Sequence, residues 1–140
     1  MNHKDFRRSA IRRWMATVLL LLVTACRPQQ FQPVAIYPED ICSSCRMAIS
    51  DERCASELID DDGVAYKFDD IGCLENFGRT NAHLHIAAAY LKDYETKQWV
   101  PRAQARIIET GIATPMGSGK IAFADSGRAK AFQSAHPPGS

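Results

Sequence analysis

No stretch of this 140-residue chain is apolar for the length a membrane span requires, about 20 residues; its one sustained hydrophobic run, Trp14 to Ala25, is well short of that. Nor is there a basic surplus to hold a nucleic acid, because beyond residue 25 twelve Lys and Arg face fifteen Asp and Glu. The chain also lacks a Gly-rich phosphate loop, a Gly-X-Ser-X-Gly elbow and a His-Glu-X-X-His helix, so the commonest enzyme chemistries have no residues to work with. Methionine is scarce: past the amino-terminal region only Met47 and Met116 occur. What is present, 46% hydrophobic and 24% charged residues, fits one ordinary folded domain.

Lys4, Arg7, Arg8, Arg12 and Arg13 precede the apolar run, which closes on small residues before Cys26. A basic region, an apolar region and a small-residue end make an export signal, here residues 1–25. The ending Val23-Thr24-Ala25-Cys26 resembles the bacterial lipobox, in which a diacylglyceryl group is added to the cysteine and cleavage leaves it first in the chain. The expectation is a lipoprotein held to a membrane through Cys26 and facing the periplasm, where free thiols need a reason to stay free.

Residues 26–38, with Pro28, Pro33 and Pro38, read as a tether, residues 39–135 as the folded domain, and residues 136–140 as a tail. Within the domain, Cys54–Ile59 and Val64–Phe68 flank Asp60-Asp61-Asp62-Gly63, the signature of a hairpin turn. The three aspartates lack the spacing of a calcium loop. Asp69 or Asp70 can cap a helix from Ile71 to about Phe77, with Gly78 marking its end, and a strand from Leu84 to Tyr94 follows. Met47-Ala48-Ile49 also reads as a strand. Phe68, Asp70, Gly72 and Phe77 recur 55 positions later as Phe123, Asp125, Gly127 and Phe132. The implied fold is a small α+β domain of two related strand-strand-helix-strand halves packed together, since neither half buries a core alone.

Cys42-Ser43-Ser44-Cys45-Arg46-Met47 is the strongest local feature. A Cys-X-X-Cys pair suits a disulfide, a redox couple or two ligands of a soft metal. A periplasmic thiol-disulfide oxidoreductase needs the pair at a helix start after a strand, whereas this pair precedes an apolar, strand-like run. A structural zinc site needs a second pair of ligands, for which only His83 and His85 offer themselves. Thioether sulfur favours Cu(I), and Met47 lies two residues past Cys45, while Met116 sits in a loop of turn formers, Thr114-Pro115-Met116-Gly117-Ser118-Gly119. Cys54 and Cys73 read as core residues, or a disulfide, rather than ligands.

Cys42-X-X-Cys45-X-Met47, Asp62-Gly63, Phe68-Asp69-Asp70-Ile71-Gly72-Cys73, Thr114-Pro115-Met116-Gly117 and Ala122-Phe123 together resemble the NosL proteins, copper-binding accessory lipoproteins of nitrous-oxide reductase maturation. The resemblance implies a non-enzymatic carrier of one Cu(I), passed to the exported reductase through a membrane transporter complex, with Cys45, Met47 and Met116 as primary ligands. Cys42 is the nearest further ligand, and His83, His85 and His136 qualify by chemical type alone. One position departs: the family usually carries Gly between the second Cys and Met, and here it is Arg46. Because an arginine resists the positive φ open to glycine, the departure implies a slightly different loop shape, and a guanidinium with two opposed effects, favouring the Cys45 thiolate and weakening attraction for a cation.

Overall fold

In the computed structural model, which describes residues 31–139, strand β1 (Ser56–Asp60) is buried along its whole length, polar residues included. Its position explains this: β1 lies between β2 (Ala65–Phe68) and β3 (Ile86–Lys92), and β4 (Trp99–Pro101) completes an antiparallel sheet of order β2-β1-β3-β4. The β1–β2 hairpin turns where Asp60 accepts from the Asp62 and Val64 amides and from the Tyr66 hydroxyl, with Gly63 at φ 82°.

Helix α1 (Ile71–Thr80) lays Ile71, Cys73 and Leu74 on one face of this sheet, against Leu58, Phe68 and Leu91. The helix is longer than Gly78 suggested. Gly78 lies inside it, and Asn81 is the residue that stops it, donating its amide and side-chain nitrogens to the Phe77 carbonyl. The segment read as the start of a strand at Leu84 belongs to a turn, so β3 begins at Ile86, and Met47-Ala48-Ile49 contributes only a single bridge, Ile41 to Ala48.

The other sheet face carries part of the segment expected to be tether. The Phe31 carbonyl accepts from the Tyr90 hydroxyl at 2.7 Å, and the Val34 amide donates to the buried Glu57 carboxylate at 3.1 Å. Burial holds Glu57 above the usual carboxylate range.

The second half builds a two-stranded sheet, β5 (Arg106–Glu109) with β6 (Lys120–Phe123), followed by helix α2 (Ser126–Ala135). The repeat is visible in its packing. Phe68 meets Phe77 at a ring-centroid distance of 5.2 Å, and Phe123 meets Phe132 at 5.5 Å; Asp70 caps α1 and Asp125 caps α2. The halves are unequal, however, because the second sheet has two strands where the first has four.

Asp93 joins them. Fully buried, it accepts from the Ala124 amide at 2.8 Å and from the Arg128 guanidinium at 2.7 Å, beside a parallel bridge from Asp93 to Ala122. No helix among the described residues is long and apolar enough to cross a membrane, and the expected signal and Cys26 lie outside those residues.

Candidate metal centre

The Cys-X-X-Cys segment is a tight loop. The Cys42 amide donates to the Met47 carbonyl at 2.8 Å and the Arg46 amide donates back to the Cys42 carbonyl at 3.0 Å. A third bond, from the Ser43 amide to the Lys67 carbonyl, fastens the loop to β2. Such closure requires a residue with positive φ, and Arg46 has φ 67°. The loop thus keeps a glycine-like conformation, and the arginine bears the strain rather than reshaping the segment. Its consequence is a sharp division of side chains: Cys42 is fully buried in the core, Cys45 is half-buried, and Met47 is 57% exposed.

The thiols face the start of α1. Cys45 Sγ lies 3.5 Å from Asp69 Oδ2, and Cys42, Cys45, Asp69 and Cys73 each bring one donor atom within 4.8 Å of the others. Asp69 lies just before the α1 cap, Asp70, and Cys73 in the first turn of the helix, so both come from the start of α1. Burial pushes the Cys45 thiol up; the Met47 amide opposes this, and Cys42 and Asp69 add to it. Burial, Asp69 and Cys42 likewise push the Cys73 thiol well above its ordinary value. Of the two opposed effects read for the Arg46 guanidinium, easier ionisation of Cys45 is therefore not the one that prevails.

The Met116 loop is fastened to the neighbouring carboxylate, Asp70. Thr114-Pro115-Met116-Gly117 is a turn closed by the Gly117 amide on the Thr114 carbonyl at 2.9 Å, with Pro at its favoured second position and Gly117 at φ 71°. Asp70 Oδ2 accepts from Thr114 Oγ1 at 2.7 Å and from the Met116 amide at 3.1 Å, while its Oδ1 caps α1 through the Gly72 amide. Burial raises Asp70, but bonds from Ser118, Thr114, Gly72 and Met116 outweigh it and leave the carboxyl below the usual range. Gly72 permits the approach, since a Cβ there would lie 2.9 Å from Ser118 Cβ. Met116 itself is 45% exposed. Adjacent residues, Asp69 and Asp70, thus hold the cysteine loop and the methionine loop.

The histidines lie elsewhere. His83 and His85 sit in the turn before β3, and the His85 carbonyl accepts from Asp61 at the hairpin tip, the opposite end of β1 from the thiols. His136, assigned to the tail, caps α2, stacks on Phe132 at 4.3 Å and accepts from the Gly111 amide. Cys54 packs with Ile121, Phe123 and Ala129 as a core residue, its thiol pushed up to about 12 chiefly by burial. Cys73 is the residue that sequence reasoning set aside and the fold returns to the cluster. All four described cysteines are free thiols.

A buried Cys42 and a Cys45 with a raised pKa are opposite to the exposed, low-pKa thiol of a disulfide oxidoreductase. What the arrangement can do is bind a soft ion: the thiols cluster at the start of α1, and Met47 and Met116 are exposed on the two loops held by Asp69 and Asp70.

No curated protein sequence matches the chain. Among solved structures, the copper chaperone NosL from Shewanella denitrificans is similar in fold, at 17% identity, with 78% of this chain and 90% of that chain covered and a TM-score of 0.70. The NosL family model matches residues 33–138. With that span covering most of its length, the chain belongs to the NosL family.

Proposed function

We propose that this chain is a Cu(I) carrier that receives the ion at the exposed rim formed by Cys45, Met47 and Met116 and delivers it to an exported copper enzyme. The observation that carries the reading is the attachment of two distant loops to one dipeptide: Cys45 meets Asp69, and the Met116 amide meets Asp70. A thiolate and two thioethers make a soft, low-charge set that suits Cu(I) over harder ions. Exposure of both methionines leaves a face open to a recipient's ligands, which can take the ion stepwise without the domain opening. Cys42, fully buried behind Cys45, is the nearest reserve thiol.

The structural relative named as a copper chaperone supports the cargo, and family membership supports the carrier role without catalysis. The recipient we assign is nitrous-oxide reductase, reached through its associated membrane transporter complex. The address we assign is the periplasmic face of a membrane, through lipid on Cys26.

The test uses reduced full-length protein in detergent, competing for Cu(I) with a chromogenic chelator. The wild type should retain about one Cu(I), and Met116→Ala and Cys45→Ser should each lose about tenfold or more in affinity. No retention by the wild type overturns the reading.

A further inference from the structure

We propose that the bare edge of β3 seats the phosphate headgroup of an anionic phospholipid, gripped by Arg79 and Arg102; the proposal rests on the lipid address assigned above to Cys26. Strand β3 outruns its neighbour. β4 pairs only with Tyr90, Leu91 and Lys92, so Ile86 to Ala89 have β1 on one side and no strand on the other. One bond closes the junction, from the Arg102 amide to the Ala89 carbonyl at 2.8 Å, and it sets Arg102 beside the bare edge. Two grooves of about 500 and 680 Å³ flank that edge, in the size range of small-ligand sites, and share Ala89 and Arg102.

The charge of the smaller groove is uncompensated. Its apolar lining is Leu58, Leu74 and Ile86, and two arginines stand with it, Arg79 from the last turn of α1 and Arg102. Among the described residues Arg102 meets no carboxylate, and Arg79 meets only the Asn76 side chain, at 3.3 Å. Glu75 also lines the groove, but its carboxylate is held by Lys120 at 2.7 Å. Forked guanidinium donors match two oxygens of a phosphate diester, and the apolar lining suits the glycerol esters that follow it.

The course of the chain selects a membrane lipid over other anions. Tyr90 lines the larger groove while its hydroxyl holds the Phe31 carbonyl, so the leash to Cys26 departs from the groove's rim. At most about 18 Å separates Cys26 from Phe31, which keeps the groove beside the headgroup layer at an effective concentration of about 1 mM or more. A soluble anion or an acidic peptide gains nothing from that tether. The leash by itself leaves the domain free to turn, and the arginines decide which end turns to the lipid. Arg79 lies in the last turn of the helix that begins at the thiols, so the seated headgroup and the cysteine loop stand at opposite ends of α1, about 15 Å apart along its axis.

The experiment takes the chain from bacterial envelopes, where mass spectrometry reads whether Cys26 carries a diacylglyceryl group. The lipidated chain is then placed in nanodiscs of phosphatidylcholine with or without phosphatidylglycerol, and hydrogen exchange is followed at the Ala87 to Ala89 amides. Exchange there should slow by about fivefold or more when phosphatidylglycerol is present, and Arg79→Gln or Arg102→Gln should each return about fivefold, the share of one cation at an anionic surface. Both arginines are exposed, so neither change disturbs the core, and Lys130→Gln, at an exposed cation on α2, should leave the slowing intact. Equal exchange in the two lipids, slowing that survives both arginine changes, or slowing reproduced by inorganic phosphate over phosphatidylcholine overturns the lipid seat. Protection that rises with protein concentration in lipid-free detergent marks a second copy on the edge and overturns it too. A chain without lipid on Cys26 overturns the address alone. Flotation of that chain with vesicles of the two compositions then reads the seat: each arginine change should weaken binding to the phosphatidylglycerol vesicles about fivefold, and equal flotation overturns the proposal.

Discussion

The Met116 amide nitrogen lies 3.1 Å from Asp70 Oδ2, a bond that spans 46 residues of sequence and fastens the methionine loop to the residue that caps α1. Asp70 therefore does two tasks with two oxygens. Replacing it with Ala removes a helix cap and leaves the buried Thr114 hydroxyl and the Met116 amide without their acceptor. Asp70→Ala should destabilise the domain by about 2–4 kcal/mol in urea unfolding and weaken Cu(I) binding beyond what Asp125→Ala does. Equal Cu(I) affinity in the two variants would sever the loop's anchoring from metal binding.

Two glycines of the same helix should respond in opposite directions. Gly78 is exposed with nothing within 4 Å of an added Cβ, so Gly78→Ala should stabilise by about 0.5–1 kcal/mol through helix propensity. At Gly72 the added Cβ meets Ser118 Cβ at 2.9 Å and Asp70 Oδ1 at 3.1 Å. Gly72→Ala should cost about 1–3 kcal/mol despite the same propensity gain, because the 114–119 loop must move. Thermal unfolding of both variants measures the difference, and similar shifts would show the contact to be slack.

Arg46 holds φ 67° where its family usually has Gly. Relief of that strain predicts that Arg46→Gly raises stability by about 1 kcal/mol and leaves the loop's hydrogen bonds in place. A destabilised variant would mean that the arginine side chain supplies a compensating contact.

Acid should loosen the joint between the halves. Burial alone would raise Asp93, but the Arg128 guanidinium and the Ala124 and Thr96 amides outweigh it and hold the carboxyl far below the ordinary carboxylate range. With a folded pKa below the unfolded value of about 3.9, Asp93 contributes its full stability above that value and loses it as pH falls through the folded pKa. Unfolding midpoints measured from pH 7 down to pH 2 should therefore fall more steeply for the wild type than for Asp93→Asn. The variant should begin about 2–3 kcal/mol less stable at pH 7, a magnitude reduced by the partial exposure of Arg128. Parallel pH profiles would remove Asp93 from the acid response.

Much of the local structure was legible because local rules govern it. The hairpin aspartates, both aspartate caps and the paired phenylalanines follow from short-range hydrogen bonding and from a period that repeats. Gly78 misled because a glycine inside an exposed helix costs little once Leu74 and Phe77 pack the opposite side. Cys73 and Asp69 could not be placed with Cys42 and Cys45 from spacing alone: their meeting depends on the direction in which α1 leaves β2. The two histidines looked like ligands by composition, and only the course of the chain carries them to the far tip of the hairpin.

The docking of Phe31 and Val34 onto the sheet bears on how far the domain can roam. A leash running from Cys26 to Glu39 would reach about 45 Å when fully stretched, but one that ends at Phe31 spans at most about 18 Å, whatever its conformation. With lipid on Cys26, as proposed, Phe31 stays within about 18 Å of the lipidated residue, so the domain can reorient beside the bilayer but cannot travel away from it.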